Sequence, residues 1–159
     1  MSENIKIPNI KIKNARIFYR NFSGSATKFN PRGGRRTFNV YIDDPDVVDD
    51  MIKDGWNVKF REPRDENEAP RAHVQVVVDF DNGRYPPKVV MVTNKKLTPL
   101  DASTIECLDY AEILNVDLVI RPYPWEVNGK TGVKAYLKTM YVTVEEDEFA
   151  DEYGDMMFN

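Results

Sequence analysis

A chain of 159 residues, 42% of them hydrophobic, has the size and composition of one globular domain with a single core. It contains no apolar run near the roughly 20 residues that span a bilayer, and its N-terminus lacks the apolar centre of a signal peptide. With one cysteine (Cys107) and one histidine (His73), neither an internal disulfide nor a zinc-ligand set can be assembled, so a cytoplasmic protein without structural metal, cofactor or membrane partner is expected.

The net charge of −4 hides a division along the chain. Seven of the 26 acids lie beyond residue 144, where there is no base, so 22 bases face the 19 acids of the preceding body. Nine of those bases fall within the first forty residues, against Glu3 alone. A basic body with an acidic tail suits a polyanionic partner.

Residues 1 to 13 alternate Lys, Ile and Asn around Pro8, which reads as an extended basic arm or an edge strand. Asn14 to Phe22 has the β-propensity of a strand, with Arg16, Phe18, Arg20 and Phe22 on one face. The competing reading of that face is an ordinary half-buried strand with snorkelling arginines. Ser23 to Arg36 is a Gly-, Ser- and Asn-rich loop carrying Lys28, Phe29, Arg32, Arg35 and Arg36, a content suited to phosphates. Thr37 to Ile42 is a second strand. Asp44-Pro45 then caps a short amphipathic helix whose Val47, Val48, Met51 and Ile52 recur at helical spacing before Gly55.

Trp56 to Glu62 reads as a third strand, and residues 63 to 71 as a charged turn. In the strand from Ala72 to Phe80, the polar face holds His73, Gln75, Val77 and Asp79, which makes His73 a surface residue. Lys88 to Thr93 is another strand, followed by a basic turn at Asn94-Lys95-Lys96 and a helical turn from Asp101. Thr104 to Ala111 is either helix or the approach to a strand from Glu112 to Arg121. From Asp117 to Val144 the sequence predicts a hairpin, because Asn128-Gly129 tolerates the positive φ of a tight turn between two runs rich in β-branched and aromatic residues. Strict alternation in its second arm puts Val133, Ala135, Leu137, Thr139, Tyr141 and Thr143 on one face. Lys134, Tyr136, Lys138, Met140, Val142 and Val144 share the other. Many short strands with one or two short helices predict a mostly β, barrel-like fold.

Motifs for catalysis fail on spacing. Gly129-Lys130-Thr131 resembles the end of a P-loop, yet Pro124 occupies the first glycine position and a hairpin replaces the strand-to-helix context. The five aspartates around the helix lack the glycine and terminal glutamate of a calcium loop. Asp79 with Asp81, the pair a metal-dependent nuclease would need, reads as a solvated strand end, and no nucleophile, base and acid can be grouped around His73.

Ala15-Arg16-Ile17-Phe18-Tyr19-Arg20-Asn21-Phe22-Ser23-Gly24, Gly55-Trp56-Asn57-Val58-Lys59, Pro122-Tyr123-Pro124-Trp125 and Asn128-Gly129-Lys130-Thr131-Gly132-Val133-Lys134-Ala135-Tyr136-Leu137, with the acidic tail, resemble phage-encoded single-stranded DNA-binding proteins. The resemblance implies an OB-fold-like antiparallel barrel over residues 14 to 144, a basic arm over 1 to 13 and a disordered acidic tail over 145 to 159. It also implies a non-enzymatic role in phage DNA replication, recombination or repair in the infected bacterial cell. Tail contacts to replication or recombination proteins would run through Asp151, Glu152, Asp155 and Phe158, although here Asn159 follows the terminal aromatic.

Sequence-tolerant binding of a single strand requires aromatic faces for stacking and a basic groove for phosphates. Candidate stackers are Phe18, Phe22, Phe29, Trp56, Phe60, Tyr123, Trp125 and Tyr136. Candidate phosphate partners are Arg16, Arg20, Lys28, Arg32, Arg35, Arg36, Lys59, Arg61, Lys130, Lys134 and Lys138. Burial in the core is the competing reading of each ring. Single-stranded RNA, or a protein surface as in an inhibitor, is the alternative ligand.

Overall fold

The computed structural model describes residues 7–28, 31–62, 65–81, 84–94 and 96–145. Residues 1–6 of the expected arm and 146–159 of the expected tail lie outside the described residues, as does Phe29. Among the described residues nine strands form one sheet: β1 (Ile10–Ile12), β2 (Ile17–Asn21), β3 (Arg36–Tyr41), β4 (Lys59–Arg61), β5 (Arg71–Val78), β6 (Lys88–Thr93), β7 (Lys96–Leu100), β8 (Ile113–Val127) and β9 (Lys130–Val144). The main path runs β1-β8-β9-β5-β3-β2. Its two ends are joined by a short segment of chain in which Ala15 N–H donates to Val116 O (2.7 Å) and Arg16 O accepts from Tyr41 N–H (3.1 Å). One stretch thus touches both β8 and β3 and curls the sheet towards a barrel.

The predicted hairpin is present, with Asn128 (φ 52) and Gly129 (φ 80) in the left-handed region that a two-residue turn needs. The alternation expected along β9 is not kept. Thr139 pairs with Val119 but Leu137 with Ile120, so Lys138 is an extra, bulged residue. Beyond it the inward set changes from Val133, Ala135 and Leu137 to Met140, Val142 and Val144. The same interruption occurs in β2, where Phe18 pairs with Asn39 but Asn21 with Thr37. Arg16, Phe18, Arg20 and Phe22 therefore do not share a face.

The sheet is mixed, whereas an antiparallel barrel was expected. β9 runs parallel to β5 at Ala135 and Tyr136, then parallel to β6 from Thr139 to Thr143. β7 lies between the basic turn expected at residues 94–96 and the helical turn expected from Asp101, where the sequence predicts no strand; it is an edge strand that pairs with β6 alone among the described residues. Pro99 is tolerated there because an edge strand has one row of N–H groups without a ladder partner. Residues 10–12, within the segment expected to be an extended arm or an edge strand, form β1 at the end of the path and pair with Leu118, Val119 and Ile120 of β8.

Helix α1 (Pro45–Asp54) follows β3 as predicted. Asp44 accepts from Asp46 N–H (2.9 Å), and Gly55 at φ 96 ends the helix by donating to Ile52 O (3.1 Å). Val48 and Met51 turn into the hydrophobic core. The segment after Asp101 is a single 3₁₀ turn, Ile105–Asp109, which buries Ile105 and Leu108.

Candidate nucleic-acid interface

Strand register places the outward side chains. Tyr41 lies opposite His73, Asn39 opposite Gln75 and Thr37 opposite Val77 on the side away from the core cluster, where Tyr41 and Val77 are nonetheless covered by their neighbours; the intervening Phe38, Val40, Val74 and Val76 belong to that cluster. Val77 neighbours Tyr136, which faces Arg121, and Lys134 faces Tyr123. One outer face is therefore continuous from β2 through β3, β5 and β9 to β8.

At the β2 end of this face, Phe18 stacks on Tyr41 with ring centroids 4.4 Å apart and 25° between planes. His73 meets Phe18 edge-on at 5.1 Å. The Arg71 guanidinium lies 3.8 Å from the Tyr41 centroid and is fixed by two bonds to Asp43 (3.0 and 3.1 Å). Arg61 donates to the Tyr41 hydroxyl, and Lys59 pairs opposite His73. Burial first, then Lys59 and Arg61, hold the His73 imidazole below its ordinary pKa. His73 is on the expected face but is half-buried among rings, not freely exposed.

At the β8 end, Tyr123 and Tyr136 meet edge-on at 5.3 Å, with Arg121 5.8 Å from the Tyr136 centroid and 5.0 Å from that of Tyr85. Trp125 continues this group towards the hairpin turn and is 37% exposed. Between the two ends, where β5 and β9 diverge, a cleft of about 80 Å³ is lined by Arg35, Gln75, Val77 and Lys134, with Trp56 at its base. Rings and cations are grouped at the two ends of the face, with Arg35 and Lys134 on the cleft between them and Asn39, Gln75, Thr37 and Val77 across its middle.

Several sequence candidates fall elsewhere. Phe22 is fully buried against Phe38 at 5.4 Å, and Trp56 is 4% exposed, so both belong to the core. Arg20 donates through Nη1 to Leu108 O (2.8 Å) and Ala111 O (2.9 Å), while Asp109 accepts from the N–H groups of Phe22 and Ser23. Arg20 thus clamps the 3₁₀ turn onto β2. Arg36 donates to Ala102 O (3.0 Å) and lies over Phe80, committed to structure in the same way.

Arg16, Lys28 and Arg32 are exposed, and Phe60 is 52% exposed beside Lys59 and Arg61. Lys130 is exposed next to the hairpin turn, and Lys138 is exposed at the bulge. The tail candidates Asp151, Glu152, Asp155 and Phe158 lie outside the described residues. Sequence reasoning missed Tyr19, Tyr41, Arg71, Tyr85 and Arg121. Tyr41 was accessible through the alternation of Thr37, Asn39 and Tyr41 with Phe38, Val40 and Ile42; the others depend on contacts between strands. Among the described residues, no three His, Cys, Asp or Glu groups converge on a metal site, and no helix is long and apolar enough to cross a membrane.

A curled β-sheet with, among the described residues, one small α-helix, and with rings and cations grouped at both ends of its outer face, defines an OB-type oligonucleotide-binding module. The family model described as "Putative phage ssDNA-binding domain" matches residues 1–159. The chain belongs to that family and is a phage single-stranded DNA-binding protein. Its fold is similar to that of the single-stranded DNA-binding protein from bacteriophage Enc34 in complex with ssDNA (TM-score 0.56, 13% identity, 89% of each chain covered). The C-terminal truncation of the Enc34 protein matches with TM-score 0.55, 12% identity and 87% of each chain covered. A third Enc34 structure gives 0.51, 14% identity, and coverage of 91% of this chain and 89% of the other. No curated protein sequence matches the chain significantly.

Proposed function

We propose that this chain coats single-stranded DNA without regard to sequence, stacking bases on the rings of the outer face and meeting phosphates with its cations. The observation that carries the reading is the continuity of that face from Phe18 and Tyr41 to Tyr123 and Trp125, with Arg35 and Lys134 on the cleft between them. Stacking is indifferent to base identity because every base has a π-face. The Enc34 protein, similar in fold, is itself recorded with ssDNA.

The binding unit is residues 14–144 together with the β1 strand, and the role is non-catalytic service to DNA replication, recombination or repair in the cytoplasm of the infected bacterium. The acidic segment from residue 145 competes with DNA for the basic face and, when displaced, offers Asp151, Glu152, Asp155 and Phe158 to replication or recombination proteins. Its seven acids against a net basic body support that competition.

Anisotropy titration of the full chain with labelled single-stranded DNA, duplex DNA and RNA of equal length tests the reading. Single-stranded DNA should bind most tightly, uncleaved in magnesium. Preference for the duplex or for RNA, or cleavage, refutes it. Deleting residues 145–159 should tighten binding at low salt, with the gain vanishing as salt screens the competition. Unchanged or weaker binding across the salt range removes the tail from the scheme.

A further inference from the structure

Tyr19 occupies a backbone conformation that its side chain disfavours. Its φ is 50°, and among the described residues the other non-glycine positions with positive φ are Asn14 and Asn128, whose short polar side chains tolerate that region. It lies inside the irregular step of β2, between the Phe18–Asn39 and Asn21–Thr37 pairs. Consecutive strand residues ordinarily project to opposite faces. Here the Phe18 and Tyr19 rings meet edge-on with centroids 4.9 Å apart, so the bulge has turned both to one side.

Core packing does not hold this geometry in place, because Tyr19 is 75% exposed. Beneath it the rings are anchored in sequence: Phe18 on Tyr41, Tyr41 under Arg71 and bonded by Arg61. Arg61, through its bond to the Tyr41 hydroxyl, keeps a cation within the same group of rings. A strained, outward aromatic on a rigid, cation-backed base is arranged to receive a flat partner.

We infer that Tyr19 is a base-stacking residue of the DNA-binding face, projected by the bulge so that a nucleobase packs on its ring while Arg61 lies near the adjoining phosphate. The inference rests on the single-stranded DNA reading given above and adds a contact to it. The strain at Tyr19 exists to present that ring.

Full-length Tyr19→Ala, Tyr19→Gly and Tyr19→Phe variants test this, using melting temperature, affinity for a labelled oligothymidylate, and the fluorescence change of an oligonucleotide carrying 2-aminopurine. Alanine and glycine should each weaken binding about 5- to 100-fold and diminish the 2-aminopurine response, whereas phenylalanine retains both. Glycine should also melt no lower than alanine, the reverse of their order in an ordinary strand, since it alone relieves the positive φ. Wild-type affinity in the alanine and glycine variants overturns the stacking role, and a glycine variant that melts below the alanine variant overturns the strain. If the wild-type protein itself fails to bind single-stranded DNA, the underlying functional reading fails, an outcome distinct from either.

Discussion

The indole of Trp125 lies across Gly132, its partner on the opposite arm of the hairpin: a β-carbon at residue 132 would approach Trp125 Cζ2 to 2.6 Å and Nε1 to 2.8 Å. Glycine is required here for the space that its missing side chain leaves. Gly132→Ala should displace the ring and weaken oligonucleotide binding as Trp125→Ala does, by roughly 1 to 3 kcal/mol, with the melting temperature little changed because the site is at the exposed end of the hairpin. Since Trp56 is buried, quenching of tryptophan emission by DNA should come from Trp125 and disappear in Trp125→Phe. A quench that persists in that variant assigns it to Trp56 and removes Trp125 from the interface.

Arg35 and Arg36 are adjacent in sequence but should behave differently. Arg35 is exposed at the cleft beside Lys134, whereas Arg36 is bonded to Ala102 O. Arg35→Ala and Lys134→Ala should each reduce the magnitude of the slope of log affinity against log salt by about 0.7, the contribution of one phosphate contact on a single strand. Arg36→Ala should leave that slope intact and lower thermal stability. Titrations at four or five salt concentrations would separate them, and equal slopes for all three variants would exclude Arg35 and Lys134 from phosphate binding.

Arg20→Ala removes a guanidinium that bridges two carbonyl groups of the segment after β7. The cost should be about 1.5 to 3 kcal/mol in urea unfolding, the range for hydrogen bonds to a charged group. Its salt slope for DNA should match the wild type. A variant of full stability but reduced slope would instead make Arg20 a phosphate ligand.

His73 makes stability depend on pH in a defined direction. Its pKa is held below the ordinary value of 6.5, chiefly by burial. As pH falls from 6.5 towards the folded-state value, the unfolded chain takes up a proton that the folded chain does not, so stability decreases across that interval. Above it this group contributes no slope. The urea midpoint of the wild type should therefore decline between pH 7 and 5.5 more than that of His73→Gln; parallel declines would show that other groups are responsible.

Local chemistry in the sequence was sufficient for Asn128-Gly129 and for the Asp44-Pro45 to Gly55 helix, because turn and cap preferences reside in the residues themselves. Period-two reasoning held along β5, where His73, Gln75 and Val77 do oppose Val74, Val76 and Val78. It failed wherever a bulge adds a residue, at Tyr19 and at Lys138, since nothing in the composition marks an insertion into a ladder. β7 was hidden by Pro99, which usually argues against a strand. The nature of the interface was legible as rings among cations, but its membership was not. Phe22 and Trp56 have the same chemistry as Phe18 and Trp125, and only tertiary packing puts the first pair inside. Arg20 and Arg36 were lost to carbonyl groups far along the chain, partners that strand periodicity cannot reveal.

The double role of β9 bears on assembly and aggregation. Its hairpin with β8 is a local pairing of the kind that closes within about 1 to 10 μs. Its parallel pairings join Val76 to Ala135 and Lys88 to Thr139, long loops whose closure must precede any reward from the contacts, so the complete sheet should form orders of magnitude later. Until β9 docks, β5 and β6 each present an open strand edge rich in valine. A nicked or truncated chain lacking β9 should therefore self-associate through those edges, since a single strand covers both of them.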